Sequence, residues 1–172
     1  MKKLIIPLLL ILSVTVLCFI SCSPASDEDG TDNDVLDLAP DFELADINGN
    51  TVTLQSFRGK PVMLVFWMIQ CPACVMEMPY LQELYEGQSQ NDLVLLTINV
   101  RDNASQIRDF LSRENLSLPV LMDSNFDAVR DYNVRYTPTA FYIDRSGNLK
   151  YTKIGAYNNV SEIMRDINKH IS

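Results

Sequence analysis

The chain has 172 residues, of which 22 are acidic and 14 are lysine or arginine, so its formal net charge is −8. This length suits one domain of ordinary size with a short appendage. The negative charge disfavours nucleic acids and anionic lipids as partners.

Residues 1–21 have the composition of a bacterial lipoprotein signal peptide. Two lysines precede an almost wholly apolar run from Leu4 to Ile20. The run ends in Ser21–Cys22, which resembles the lipobox at which a cysteine is lipidated, although Phe19 stands where that motif usually has leucine. We therefore expect Cys22 to carry lipid and to tether the domain outside the cytoplasmic membrane. The alternative is an uncleaved N-terminal membrane anchor.

Residues 22–38 are predicted to form an acidic, disordered tether. This stretch is polar and short of large apolar residues, so it has little with which to build a core. Removal of residues 1–21 takes away two lysines and no acid, which leaves 12 basic against 22 acidic residues and a mature charge near −10.

Residues 39–172 are predicted to form the folded domain, in which strands alternate with helices. In chain order, the expected strands are 42–45, 51–54, 62–67, 93–100, 119–122, 139–143 and 149–154. The expected helices are 72–87, 105–115, 125–132 and a last one from 160, with a kink at Pro79 and a capping box of Asn159 and Glu162. This order predicts an α/β fold, with a mixed sheet covered by helices on both faces.

Cys71 and Cys74 form the most informative motif. Cys18 would leave with the signal peptide and Cys22 would carry lipid, so this pair alone remains in the domain. Cys71 lies at a helix start, where the helix dipole and unpaired N–H groups favour the thiolate. Cys74 lies one turn later, close enough to form a disulfide with Cys71 and release a captured partner. The motif predicts a dithiol–disulfide exchange centre, with Cys71 as nucleophile and Cys74 as resolving thiol.

Glu77 is the candidate base for Cys74. Burial raises the pKa of a thiol, so Cys74 needs a proton acceptor. Glu77 lies three residues after Cys74 on the same helical face. The alternative is that Glu77 is an ordinary solvent-exposed helix residue. Trp67 is predicted to be a core residue that also shields the site.

Several of these residues together resemble the TlpA/ResA group of membrane-tethered, thioredoxin-like thiol–disulfide oxidoreductases. The shared motifs are Ala39–Phe42, Gly59–Pro61, Phe66–Trp67, Cys71–Cys74, Glu77, Pro79 and Tyr136–Thr139. The resemblance covers about residues 39–172 and implies a thioredoxin-like fold with an N-terminal β-hairpin extension and an inserted αβ element at about 105–122. Gln70 and the order Pro72–Ala73 depart from the pattern, and both departures leave the reduction potential open.

The resemblance also implies the other parts of the site. It implies that the Thr137–Pro138 peptide bond is cis, beside the dithiol, and that the backbone of Thr137 pairs with an incoming peptide. It places Trp67 and Pro72 beside the substrate and makes Glu77 an active-site acid. The buried acid of thioredoxins is absent, because Val65 stands at its position.

The function implied by the resemblance is reduction of disulfides in exported proteins, such as apocytochrome c. The partners would be these substrates, a membrane electron donor of the CcdA/DsbD type and the membrane that holds the lipid anchor. We expect a monomer with no cofactor beyond the redox-active dithiol, and no metal.

Three alternatives belong to other classes. A peroxiredoxin-like peroxidase would need proline and threonine where Leu64 and Met68 stand. A dithiol oxidase of the DsbA kind shares the Cys71–Pro72 start but needs a long helical insertion for which this chain has no room. A metal-binding module would need three or four convergent ligands, and no second cysteine pair or nearby histidine is present.

Overall fold

A computed structural model describes residues 38–87 and 93–171. The predicted signal peptide, Cys22 and nearly all of the predicted tether lie outside these residues. Leu38, which we assigned to the end of the tether, forms an isolated antiparallel bridge with Asn148 and therefore belongs to the folded part. Every helix in the two described stretches is too short or too polar to cross a membrane.

The described residues form a seven-stranded mixed sheet in the order β2-β1-β5-β4-β3-β6-β7. The strands are β1 Glu43–Asp46, β2 Thr51–Thr53, β3 Val62–Trp67, β4 Val94–Asn99, β5 Val120–Met122, β6 Thr139–Ile143 and β7 Leu149–Ile154. The central strand β3 runs parallel to β4 and antiparallel to β6. The hairpin β1–β2 joins the sheet by antiparallel pairing of β1 with β5. The mixed sheet and the N-terminal hairpin are thus confirmed.

The helices are α1 Pro72–Gly87, α2 Ala104–Arg113, α3 Asp127–Asp131 and α4 Val160–His170, with a short 3-10 turn at Leu54–Phe57. The bounds of α1 match the prediction, and the helix continues through Pro79. Helix α2 and strand β5, which pairs in parallel with β4, are the inserted αβ element.

Two helix starts differ from the prediction for local reasons. Helix α3 begins at Asp127 rather than at residue 125, because Phe126 has a left-handed backbone (φ 59°). The Asp123 carboxylate accepts the N–H groups of Ala128 and Val129 and so caps this late start. Helix α2 begins one residue before the prediction, because Asn103 and Gln106 form a reciprocal capping box there.

The cap of α4 is half of the predicted box. The Asn159 side chain accepts the Glu162 N–H at 2.9 Å. The Glu162 carboxylate accepts the N–H of Asn158 at 3.2 Å, one residue before the position that a complete box requires.

The sheet packs on both faces, because alternate side chains of a buried strand point to opposite sides. Met63, Val65 and Trp67 of β3 point toward α1, α2 and α4, and we call this side, which includes Cys71 and Cys74, the dithiol face. Val62, Leu64 and Phe66 point toward α3 and the first residues of the domain, and we call this side the opposite face.

Candidate active site

The end of β3 and the start of α1 bring the two cysteines together. Cys71 and Cys74 are joined by a disulfide, with their Cα atoms 5.2 Å apart. The Cys71 residue is 7% exposed and Cys74 is 1% exposed. A nucleophilic cysteine must be accessible to the substrate disulfide, whereas a resolving cysteine has to reach only the sulfur of the nucleophile. The order of exposure of Cys71 and Cys74 agrees with these two roles.

Cys71 has a neighbouring group suited to each of its protonation states. The Cys74 N–H donates to the Cys71 Sγ at 3.2 Å, at the positive end of α1. This contact favours the thiolate of the reduced protein. The Sγ also lies 3.4 Å from the carbonyl oxygen of Thr137, which can accept from the thiol. The arrangement therefore supports a sulfur that changes between thiol and thiolate.

A polar clamp at the end of β4 holds the loop before Cys71. Asp102 Oδ2 accepts the Ile69 N–H at 2.8 Å and the Asn99 side-chain amide at 3.0 Å. Asn99 is buried, and its Oδ1 accepts the backbone N–H groups of Arg101 and Asp102. Sequence reasoning missed this clamp. The available signal was a polar residue, Asn99, at the end of a buried strand, followed three residues later by Asp102, where that strand neighbours the one leading to Cys71.

The loop before β6 forms the wall that faces the disulfide. The Thr137–Pro138 peptide bond is cis, which agrees with what the family resemblance implies. The Pro138 carbonyl oxygen accepts the Gly155 N–H at 2.9 Å, and the Thr139 hydroxyl donates to the Tyr136 carbonyl at 2.7 Å. These bonds hold the loop so that the Thr137 carbonyl lies against Cys71.

Glu77 is buried in α1, at 1% exposure, so its alternative assignment to the solvent-exposed helix surface is wrong. Its Oε2 accepts the backbone N–H of Tyr157 at 3.1 Å. Burial raises the pKa of Glu77 to about 7, although the Tyr157 hydrogen bond and the positive charge of Lys153 oppose the rise. The site thus has a carboxyl group that changes its charge near neutral pH, one helical turn from Cys74.

A buried hydrogen-bond network lies beside Glu77, and sequence reasoning did not find it. The Tyr157 hydroxyl donates to the Asp166 carboxylate at 2.7 Å and lies 2.5 Å from the Tyr142 hydroxyl. Burial raises the pKa of both tyrosines, so they stay neutral. The Lys153 ammonium lies 5.0 Å from the centre of the Tyr157 ring. These residues lie on β6, on β7, in a loop and on α4. No pattern of sequence spacing could therefore have predicted that they meet.

Trp67 and Pro72 differ in what a substrate can reach. Pro72 is exposed beside Cys71. Trp67 is completely buried and packs against Phe110, with ring centres 5.4 Å apart. Burial leaves no surface of Trp67 for a substrate, so we reassign it from the substrate contacts to the core beneath the site.

The described residues lack the groups that a peroxidatic site or a metal site would require. The two positions that a peroxidatic site would need hold apolar side chains, since Leu64 is buried in β3 and Met68 is half-buried after it. Across residues 38–87 and 93–171, no three histidine, cysteine, aspartate or glutamate side chains meet as metal ligands would.

Comparison with known proteins agrees with this geometry. Residues 35–152 match the model of the AhpC/TSA family. The thiol-disulfide oxidoreductase ResA of Geobacillus kaustophilus is 35% identical over 133 residues, which cover 77% of this chain and 74% of ResA. The crystal structure of StoA from Bacillus subtilis matches with a TM-score of 0.65 at 25% identity, over 75% of this chain and 97% of StoA.

A second solved structure is the exposed lipoprotein thioredoxin Etrx1 of Streptococcus pneumoniae. It has a TM-score of 0.65 and 28% identity, over 76% of this chain and 99% of its own. Together with the Cys71–Cys74 pair, these similarities show the class of enzyme. The chain belongs to the AhpC/TSA family and is a ResA-like thiol-disulfide oxidoreductase with a thioredoxin-like fold.

Proposed function

We propose that this enzyme is an extracytoplasmic reductant of disulfides in exported proteins, with apocytochrome c as the substrate that its family resemblance favours. One observation carries the proposal. Cys71 lies at the start of α1 against the Thr137 carbonyl, with the more deeply buried Cys74 behind it and a titratable Glu77 one turn further. This arrangement has an attacking sulfur, a resolving sulfur and a proton acceptor in sequence.

In the first step, the Cys71 thiolate attacks one sulfur of the substrate disulfide. The substrate S–S bond breaks, its other sulfur leaves as a thiolate and takes a proton, and a mixed disulfide with Cys71 forms. The Cys74 N–H and the dipole of α1 stabilise the attacking thiolate.

In the second step, Cys74 gives its proton to the Glu77 carboxylate and attacks the Cys71 sulfur. The bond from Cys71 to the substrate breaks, and the second substrate sulfur leaves. Two electrons have then passed from the dithiol to the substrate, and the protein holds the Cys71–Cys74 disulfide, which is the state described above. Glu77 is suited to this role because its pKa of about 7 lets it exchange protons at neutral pH.

Exposed apolar side chains near the dithiol favour a polypeptide substrate. Tyr136 precedes Thr137 and is 66% exposed, and Met76 of α1 is also 66% exposed. Ile154 is 62% exposed and pairs with Thr139, beside Pro138. An extended substrate segment would bury these side chains while its backbone pairs with that of Thr137.

The location and the electron source complete the proposal. The signal-peptide composition of residues 1–21 and the Ser21–Cys22 ending support lipid attachment and an envelope location. The similar Etrx1 is itself described as an exposed lipoprotein thioredoxin. We further propose that a membrane donor of the CcdA/DsbD type reduces Cys71–Cys74 again, and that the enzyme acts as a monomer without another cofactor.

A redox titration tests the direction of electron flow. The full chain is equilibrated in thiol–disulfide buffers, and the fraction of alkylated Cys71 and Cys74 is measured by mass spectrometry. A reductant should have a potential near that of thioredoxin, about −270 mV, whereas a value near the oxidase range of about −120 mV would overturn the reductase role. The Cys71→Ser/Cys74→Ser variant reports the signal of the remaining cysteines and serves as the control.

The anchor has its own test. Mass spectrometry of the protein extracted from membranes should find an N-terminus that begins at Cys22 and carries lipid. The Cys22→Ser variant should lack this modification. A mature chain that begins at another residue, or that retains Met1, would contradict the lipoprotein assignment.

A further inference from the structure

Lys153, on β7, is a residue that no sequence motif singles out. Its Nζ donates to the Gly155 carbonyl oxygen at 3.2 Å and to the Ile154 carbonyl oxygen at 3.4 Å. The same ammonium lies 5.0 Å from the centre of the Tyr157 ring, within the range of a cation–π contact. One side chain therefore contacts three residues of the short segment 154–157.

This segment connects the two sides of the dithiol site. The Gly155 N–H donates to the Pro138 carbonyl oxygen at 2.9 Å, on the side of the cis peptide bond. Two residues later, the Tyr157 N–H donates to Glu77 Oε2 at 3.1 Å. Gly155 has a φ of +91°, a conformation in which glycine is strongly favoured. A group that holds this segment therefore holds both the Pro138 loop and the Glu77 carboxyl.

The charge of Lys153 also acts on Glu77. Five elements contribute titratable or charged groups around Glu77. They are Cys74 of α1, Tyr142 of β6, Lys153 of β7, Tyr157 of the following loop and Asp166 of α4. The two tyrosines are neutral, and Asp166 accepts the Tyr157 hydroxyl. Within this group, Lys153 is the cation, and its charge favours the ionised form of Glu77 against the effect of burial.

We propose that Lys153 is a positioning residue for the resolving step of the reaction. Its ammonium fixes the segment that orients the Glu77 carboxylate, and its charge favours the ionised form that accepts the Cys74 proton. This proposal rests on the role of Glu77 proposed above.

Two variants and one control separate this role from a general structural one. Lys153→Met keeps an apolar stem over Tyr157 and removes the charge and the donors, whereas Lys153→Arg keeps both. Lys150→Met is the matched control, because Lys150 is an exposed lysine of the same strand.

The measurement follows the two steps separately. The reduced full chain is mixed with an aromatic disulfide that releases one coloured thiolate when Cys71 attacks and a second when Cys74 resolves the adduct. The Cys71→Ser/Cys74→Ser variant supplies the background of the other cysteines. The rate of the second release is measured against pH.

In the wild-type protein, the second release should become faster as the pH rises through about 7, because the ionised Glu77 is the base. Lys153→Met should move this midpoint upward by about 0.5 to 1 pH, which lowers the ionised fraction of Glu77 at pH 7 and slows the second release roughly 2- to 6-fold there, with the first release unchanged. Lys153→Arg should restore the wild-type midpoint, and Lys150→Met should keep it. An unchanged first release also shows that each variant is folded, and Lys153→Gln replaces Lys153→Met if the latter does not fold.

The Glu77→Gln background distinguishes failure of this proposal from failure of the Glu77 role. In that background the midpoint near pH 7 should disappear, and Lys153→Met should then change the second release by less than about twofold. A wild-type profile in Glu77→Gln would overturn the role of Glu77 itself. Two results would overturn the role of Lys153 while that of Glu77 stands, provided that Glu77→Gln removes the midpoint. In the first, Lys153→Met in the wild-type background leaves the midpoint in place. In the second, Lys153→Met slows both releases equally at every pH.

Discussion

The two faces of the sheet each bury an ionisable side chain, and they do so with different results. On the opposite face, Tyr132 donates its hydroxyl to the Pro40 carbonyl oxygen at 2.7 Å and packs against Phe66 and Phe141. On the dithiol face, Glu77 accepts the Tyr157 N–H. Burial raises the pKa of both groups, but it moves that of Tyr132 away from neutrality and that of Glu77 to about 7.

The comparison shows that burial by itself does not make a residue structural. A buried tyrosine is neutral in water at pH 7 and stays neutral in the core, so its hydroxyl serves only as a hydrogen-bond donor or acceptor. A buried glutamate loses its preference for the charged form and becomes able to exchange a proton. Four substitutions test whether chemistry and stability separate between the faces in this way.

The largest effect is expected at Cys71, on the dithiol face. Cys71→Ser should abolish disulfide turnover, because the attacking thiolate is gone, while the fold remains. The matched variant Cys74→Ser should still attack but should accumulate the mixed disulfide, which mass spectrometry detects. Turnover by Cys71→Ser, or its trapping of substrate through Cys74, would show that the order of the two sulfurs is wrong.

The next effect lies on the opposite face and concerns stability. Phe66 is fully buried, and its ring centre lies 5.5 Å from those of Tyr132 and Phe141. Phe66→Ala should lower the free energy of unfolding by about 3–5 kcal/mol, because a cavity replaces the ring. Urea unfolding of the oxidised protein measures the change, and the half-exposed Phe126 gives the control Phe126→Ala, expected to cost less than about 1 kcal/mol. Turnover per folded molecule should stay as in the wild type. A loss of turnover in the folded variant would show that the opposite face also contributes to the reaction.

Glu77→Gln tests whether a substitution on the dithiol face can slow the reaction without lowering the stability of the fold. The variant keeps the size and hydrogen-bonding capacity of the side chain but removes the base. Resolution of the mixed disulfide should slow about 10²-fold at pH 8, near the low end of general-base effects, and the difference should shrink below pH 7 as the wild-type carboxylate takes a proton. Rapid-quench measurement of the trapped adduct follows the step. Glu83→Gln, at an exposed position of α1, is the control, and a wild-type rate for Glu77→Gln from about pH 6 to 9 would refute the assignment.

The smallest effect is expected for Tyr132→Phe. This change removes one hydroxyl and leaves the Pro40 carbonyl without that donor, so it should cost about 1 kcal/mol of unfolding free energy and leave the pH profile of turnover unchanged. Urea unfolding measures the free energy of unfolding of Tyr132→Phe and of the control Tyr136→Phe, which removes the hydroxyl of an exposed tyrosine. The difference between the two variants gives the contribution of the buried hydrogen bond. An altered pH profile would mean that the opposite face also takes part in proton transfer.

Much of the fold could be predicted from local patterns. The apolar run of β3, the bounds of α1 and the terminal strands β6 and β7 follow from side-chain periodicity and turn residues, and the structure has them where they were predicted. Helix α3 was predicted two residues too early. Its start depends on the left-handed Phe126 and on the cap from Asp123, and neither has a sufficiently specific local pattern.

The sequence by itself determined the dithiol and its chemistry. Two cysteines three residues apart at a helix start must lie one turn from each other, because helical geometry sets their spacing. Only the tertiary structure decided what surrounds Glu77. The i, i+3 spacing placed Glu77 near Cys74, but its burial, its bond to Tyr157 and its neighbour Lys153 bring together residues about 80 positions apart along the chain. A pKa near 7 depends on the solvent excluded by this packing and on the charges it brings close, and neither is a local property of the chain.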